Sequence, residues 1–246
     1  PRSVLGYDVQ LLAPFKRRVE LVRELGPDEL LVVEFTPELS RLAPGEFVEA
    51  VLRPLGARIV VAGTGFRFGA ARRGDLGLLA RLGFGVEAVP GVDGVSSSRI
   101  RDLLRQGDVV EAARLLGRAA ELEGRVVTGD QRGGTLGFPT ANLAVAPGLL
   151  VPAYGIYAGE ARLESGEGQR AAISIGVNPH YGGAERRIEA FLLDFEGDLY
   201  GQGLRLELWR RLRDERAFGS EDELVEQIRR DAEAARRAAP PLAGEG

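Results

Sequence analysis

The pattern of the chain changes at Gly117, and that change limits the fold more than any single motif does. Before it, short apolar runs at residues 30–35, 58–62 and 85–89 read as buried parallel strands. They alternate with amphipathic stretches at 15–25, 45–55 and 75–82, where Phe15, Val19, Val22 and Leu25 illustrate the helical stripe. Residues 108–116 add a short helix, capped by Asp108 and ended by Gly117. Strands alternating with helices imply βαβ units and a parallel sheet, whose ligands sit at the carboxyl ends of the strands. After Gly117 the candidates are strands only, at 123–128, 154–163, 170–175, 187–195 and 203–212, separated by Gly, Pro and Asp turns. Such a run of alternating strands argues for an antiparallel barrel or sandwich. A closing helix follows at 220–237, with Ser220 and Glu223 as a capping box and Leu224, Ile228, Ala232 and Ala235 on one face. The expected domains are therefore 1–116 and 117–239, with a disordered tail at 240–246.

Composition closes off several chemistries. With no cysteine there are no disulfides, thiolate nucleophiles or Cys-based metal sites. The one histidine, His180, rules out any mechanism that needs a histidine pair, and it reads as a loop residue. Lys16 is the sole lysine among 32 basic residues, so phosphate chemistry must use arginine, backbone N–H groups and metal. A net charge of −4 argues against nucleic acid as a partner. No apolar run approaches a membrane span and no leader opens the chain, so no membrane partner and a cytoplasmic location are expected. The sequence has no methionine, so it does not begin at an initiator unless that residue was removed.

The stretch with the most chemistry is Gly129-Asp130-Gln131-Arg132-Gly133-Gly134-Thr135-Leu136-Gly137-Phe138-Pro139-Thr140-Ala141-Asn142. Glycine-rich backbone can present successive N–H groups to phosphate oxygens. Thr140 and Asn142 then offer hard oxygen donors of the kind Mg²⁺ accepts beside phosphates. Thr135 stands where a Walker loop would carry lysine, so this is not a P-loop, and a glycine-rich hairpin is the plain alternative. In 187–195, alternation places Glu189 on one face with Phe191, Leu193 and Phe195. A carboxylate against an apolar surface suits a general base, and a solvated strand-end glutamate is the alternative. Upstream, Gly63-Thr64-Gly65-Phe66-Arg67-Phe68-Gly69 lies at a strand's carboxyl end and reads as a βα turn. Ser96-Ser97-Ser98-Arg99-Ile100-Arg101 opens a helix, either as a simple N-cap or as a phosphate site reinforced by Arg99 or Arg101. Trp209 reads as a core or packing anchor, with flavin stacking as the alternative.

Residues 129–142 resemble the Gly-Asp-x-Arg-Gly-x-x-Leu-Gly-Phe-Pro-Thr-Ala-Asn loop of riboflavin kinases, and 188–195 resemble that family's Val-Glu-x-x-Leu-Leu-Asp-Phe strand. Residues 198–201 and 212–218 continue the likeness. The motifs at 63–69 and 96–101 look like the adenylyltransferase half of bacterial bifunctional riboflavin kinase/FAD synthetases. The resemblance implies an α/β nucleotidyltransferase-like parallel sheet, incomplete here, followed by a six-stranded antiparallel β-barrel with a C-terminal helix. It implies Glu189 as catalytic base, and Gly129, Arg132, Gly133, Gly134 and Gly137 around the ATP phosphates. Thr140 and Asn142 would hold Mg²⁺ or orient the γ-phosphate. Phe66, Arg67, Ser96, Ser97, Arg99 and Arg101 would be what is left of an adenylyl-transfer site. Riboflavin, FMN, FAD and ATP are the implied substrates and products.

Four departures matter. The family usually has Asp at Gly65 and Thr at Ser98, and commonly Arg-Pro-Thr near His180. Its first strand ends in a His-x-Gly-His motif that would lie upstream of residue 1. On this reading the chain starts inside its first domain and FAD synthesis is not expected of it. The open sheet edge this leaves would allow self-association. A non-catalytic flavin or nucleotide binder, and a fragment of a natural protein that makes FAD, stay as the other readings.

Overall fold

The computed structural model describes residues 9–129, 137–178 and 185–242. They fall into two compact units, one formed by Gly26–Val95 and the other by Gln10–Leu25 together with the chain from Ser96 onward.

In the first unit, β1 (Ile59–Gly63) and β2 (Gly85–Val89) pair in parallel, with Ile59 opposite Gly85 and Gly63 opposite Val89. The connection carries a helix, Leu76–Arg81, whose first turn is closed by Asp75 accepting from the Leu78 N–H. The helix expected over 45–55 is a short α-helical turn, Pro44–Phe47, that widens into a π-turn, Val48–Leu52. Val48, Phe68, Leu79 and Phe84 form the small core. The strand expected over 30–35 does not form. An apolar run becomes a strand only by pairing, and no described residue pairs with it; Leu31, Val32 and Val33 are exposed.

The second unit is a closed barrel of β3 (Ala120–Val127), β4 (Ala141–Val145), β5 (Gly155–Leu163), β6 (Gly168–Asn178), β7 (Glu185–Leu192) and β8 (Gly203–Arg213). Around the barrel the order is β3-β4-β7-β6-β5-β8, every pair antiparallel. Five of these strands match the expected ones to within a few residues. The sixth, β4, is not among the strands expected from alternation, because its five residues follow Pro139-Thr140 directly and carry no long alternation. Period-two alternation turns Leu122, Ile173, Ile188, Ala190 and Leu206 inward, where they are buried.

Two helices, Ser97–Gln106 and Val109–Leu116, add Ile100, Leu104, Val109 and Ala112 to that same core. The strand pattern changes at Gly117, whereas the compact unit also takes in these helices and residues 10–25. The helix Phe15–Glu24 is tied in by Arg17, which is almost wholly buried and donates to both oxygens of Glu121 at 2.9 and 3.0 Å. The C-terminal helix, Glu221–Arg237, lies on the outer face of the barrel. Ala235, Ala232 and Ala238 pack there against Ala158, Ala172, Phe191 and Leu193. Ser220 caps this helix by accepting from the Glu223 N–H, the first half of the expected capping box, while the Glu223 carboxylate accepts from the Gly219 N–H and not from that of Ser220.

Candidate active site

Two cavities meet at one residue, Thr140. The first, about 440 Å³, is lined by Gly129, Pro139, Thr140 and Asn142 on one side and by Phe195 and Gly197–Tyr200 on the other. The second, about 290 Å³, lies between the outer face of β6 and β7 and the C-terminal helix. Ala172, Ser174, Glu189 and Phe191 line its barrel wall, and Leu224, Ile228 and Asp231 its helix wall. Phe138, Arg213, Glu215, Arg216 and Phe218 complete it.

The positions follow from register. Because Ile188, Ala190 and Leu192 face the core, Arg187, Glu189 and Phe191 face outward. Asn142 is paired with Glu189 from β4, and Ser174 from β6. The Thr140 hydroxyl donates to Glu189 Oε2 at 3.3 Å, while Arg187 Nη1 donates to Oε1 at 3.2 Å. The base candidate is thus held from both sides, partly exposed and open to the second cavity. The expected apolar face around Glu189 holds for Phe191 and Leu193 but not for Phe195. Asp194 has a left-handed backbone (φ 59°), which breaks the alternation and sends Phe195 to the barrel core and the first cavity. Arg236 grips Asp194 through both oxygens, at 2.5 and 3.0 Å, and holds its carboxyl below the usual value.

Gly129 lies against the Asn142 carboxamide so closely that a Cβ there would overlap it. Gly137 adopts φ 85°, the left-handed conformation expected of it. Arg132, Gly133, Gly134 and His180 lie outside the described residues. Among the described residues no cluster of three or more His, Cys, Asp or Glu could cage a metal. Thr140 and Asn142 supply neutral oxygens on one cavity, which fits a Mg²⁺ that keeps most of its contacts to phosphate and water.

Sequence reading gave no role to three groups, although Arg213, Glu215, Arg216 and Phe218 lie in the 212–218 stretch of the likeness. Asp231, buried on the C-terminal helix, accepts three bonds from Arg213 (two from Nε at 3.1 Å, one from Nη2 at 2.7 Å) and one from Gln227. Arg213 and Arg216 lie over the Phe218 ring, their guanidinium carbons 5.8 and 4.8 Å from its centre. Glu215, although exposed as a residue, lays its carboxylate over Gly176; burial pushes its pKa up, against the Val177 N–H and Arg213. The third is Arg187, for which the only available signal was its place two residues before Glu189. Trp209 is buried, with Arg170 stacked 4.2 Å from the ring centre, and so serves packing.

The adenylyl-site candidates divide between the units. Phe66 stacks on Phe68 at 5.7 Å, and Arg67 donates to the Phe66 carbonyl, in the first. In the second, Ser96 caps its helix by accepting from the Arg99 N–H, Ser97 begins that helix, Arg99 pairs with Glu111 and Arg101 donates to the Gln10 carbonyl.

Comparison with known proteins agrees with this layout. The riboflavin kinase family model matches residues 116–239, and the FAD synthetase model matches 1–101. Bifunctional riboflavin kinase/FMN adenylyltransferases from Bacillus subtilis and Escherichia coli strain K12 are each 34% identical to the chain. The alignments cover 96% and 92% of this chain, and 79% and 74% of those proteins. A crystal structure described as a macrolide-efflux protein from Streptococcus pneumoniae matches with a TM-score of 0.84 at 32% identity, over 93% of this chain and 76% of that one. The efflux description stays with that protein; among the described residues here, no helix is long and apolar enough to cross a membrane. By these matches, the chain belongs to the bifunctional riboflavin kinase/FMN adenylyltransferase family of flavin cofactor biosynthesis.

Proposed function

We propose that residues 117–239 phosphorylate riboflavin to FMN with ATP, and that the reaction takes place where the two cavities meet. The observation that carries this is the placement of Glu189, hydrogen-bonded to Thr140 on the wall of one cavity while Thr140 also lines the other. The first cavity, with the Gly129 loop and Asn142, takes the nucleotide phosphates; the second, walled by Phe138, Phe191 and Phe218, takes the flavin ring. Arg132, Gly133, Gly134 and Gly137 belong to the same phosphate loop by sequence.

Glu189 Oε2 takes the proton of the riboflavin 5′-hydroxyl. That oxygen forms a bond to the γ-phosphorus as the bond from phosphorus to the β,γ-bridging oxygen breaks, and ADP leaves. Thr140 and Asn142 would hold Mg²⁺ beside the phosphates, and the ion would supply charge neutralisation there.

The test is to incubate the protein with riboflavin and Mg-ATP and separate the flavins by chromatography. FMN should accumulate, and Glu189→Gln should slow it by about 10²- to 10⁴-fold with binding kept, the usual range for a general base. Unchanged turnover in that variant would remove Glu189 as the base. Riboflavin binding without any FMN would leave a binder, not a kinase.

A further inference from the structure

The two oxygens of Glu189 have different partners, and one of them has no part in the mechanism above. Thr140 donates to Oε2 from the side where the cavities meet. Arg187 donates to Oε1 from the same strand, two residues away and on the same outward face. Both side chains of this ion pair are only partly exposed, 30% for Arg187 and 28% for Glu189. The register adds a second feature. Arg187 is paired across the sheet with Gly176, which has no side chain, and the Glu215 carboxylate lies over that glycine. The face around Glu189 therefore carries Arg187 and Ser174 on neighbouring strand positions and the Glu215 carboxylate over Gly176, with Arg213, Arg216 and Asp231 lining the cavity that Glu189 opens to.

From this geometry we infer that Arg187 is a positioning residue for the kinase reaction, holding Glu189 Oε1 so that Oε2 stays aimed at the transfer point. The inference rests on Glu189 being the base. A glutamate side chain has three rotatable bonds and at this exposure would otherwise spread over several rotamers. Fixing one oxygen with a charge-assisted bond leaves the other with one direction, and proton abstraction depends on that direction. As a partly exposed pair, Arg187 and Glu189 should contribute little to stability. Positioning and structural roles thus separate: the first moves turnover, the second moves unfolding.

The experiment uses the full chain with Arg187→Met and Arg187→Lys, each alone and with Glu189→Gln. Steady-state FMN formation is measured against both riboflavin and ATP, alongside the thermal midpoint. Arg187→Met should lower kcat about tenfold, with both KM values within about twofold, since alignment and not binding is lost. Arg187→Lys should recover part of that loss, and in the Glu189→Gln background Arg187→Met should cost nothing more. An unchanged kcat in Arg187→Met, with Glu189→Gln slow, overturns the inference and leaves the base intact. An equal loss in the Glu189→Gln background overturns it too, because Arg187 would then act on the phosphate or on binding. A large fall in thermal midpoint for both arginine variants would make the role structural. Wild-type turnover in Glu189→Gln would instead defeat the base assignment itself.

Discussion

Gly129→Ala is the sharpest test of whether the proposed phosphate loop is coupled to Asn142. A Cβ at residue 129 would overlap the Asn142 carboxamide and come within 2.6 Å of its Oδ1. Ordinary contact begins near 3.4 Å, so that oxygen must retreat by about 0.8 Å, and the amide nitrogen by more. The obstacle is the end of a side chain, so Asn142 can swing aside and the barrel should survive. Displacements near 1 Å at a reacting centre cost about 10²-fold in rate, so FMN formation should fall by about one to two orders of magnitude. The thermal midpoint should move little. Gly159→Ala is the control: there the overlap is with the backbone carbonyl of Glu207 on the paired strand, which cannot swing, so the barrel itself should be destabilised. Steady-state FMN assays and thermal unfolding of both variants decide the matter. Full activity in Gly129→Ala would refute the coupling of Asn142 to transfer.

Two further predictions concern stability. Arg17→Ala breaks a buried ion pair and strands Glu121 with Arg118 alone, and should cost about 3 kcal/mol in urea unfolding; no loss would show that the helix Phe15–Glu24 is held by its apolar contacts. For Glu215, burial raises the folded pKa above the ordinary 4.5, so its stabilising contribution is complete below that value and is lost as pH rises through the folded pKa. Glu215→Gln is free of this loss, so its thermal midpoint relative to the parent should climb as pH increases from about 4 towards neutrality; a pH-independent difference would contradict it.

The sequence alone showed the change of pattern at Gly117, because strand and helix periods are local and need no partner to be seen; packing instead groups Gln10–Leu25 and the chain from Ser96 with the barrel. Five barrel strands, the closing helix with its Ser220 cap, and the Gly129–Asn142 and Glu189 motifs were all legible at that level. Tertiary structure decided what pairing and packing decide. Residues 30–35 have strand composition but no neighbour, and form no strand. Residues 141–145 are too short to show alternation and become β4 because β3 and β7 offer both edges. Helices written in the α/β style, Ser97–Gln106 and Val109–Leu116, bury their apolar faces against the barrel. The left-handed Asp194 moved Phe195 away from the face that strict alternation gives it. Arg213 and Glu215 lie in the 212–218 stretch of the likeness, but their contacts to Asp231 and over Gly176, like the Arg187–Glu189 pair, carry no sequence signature, since each depends on a register or on a helix brought in from 18 or more residues away. Periodicity is a property of neighbours along the chain, whereas a site is a property of neighbours in space.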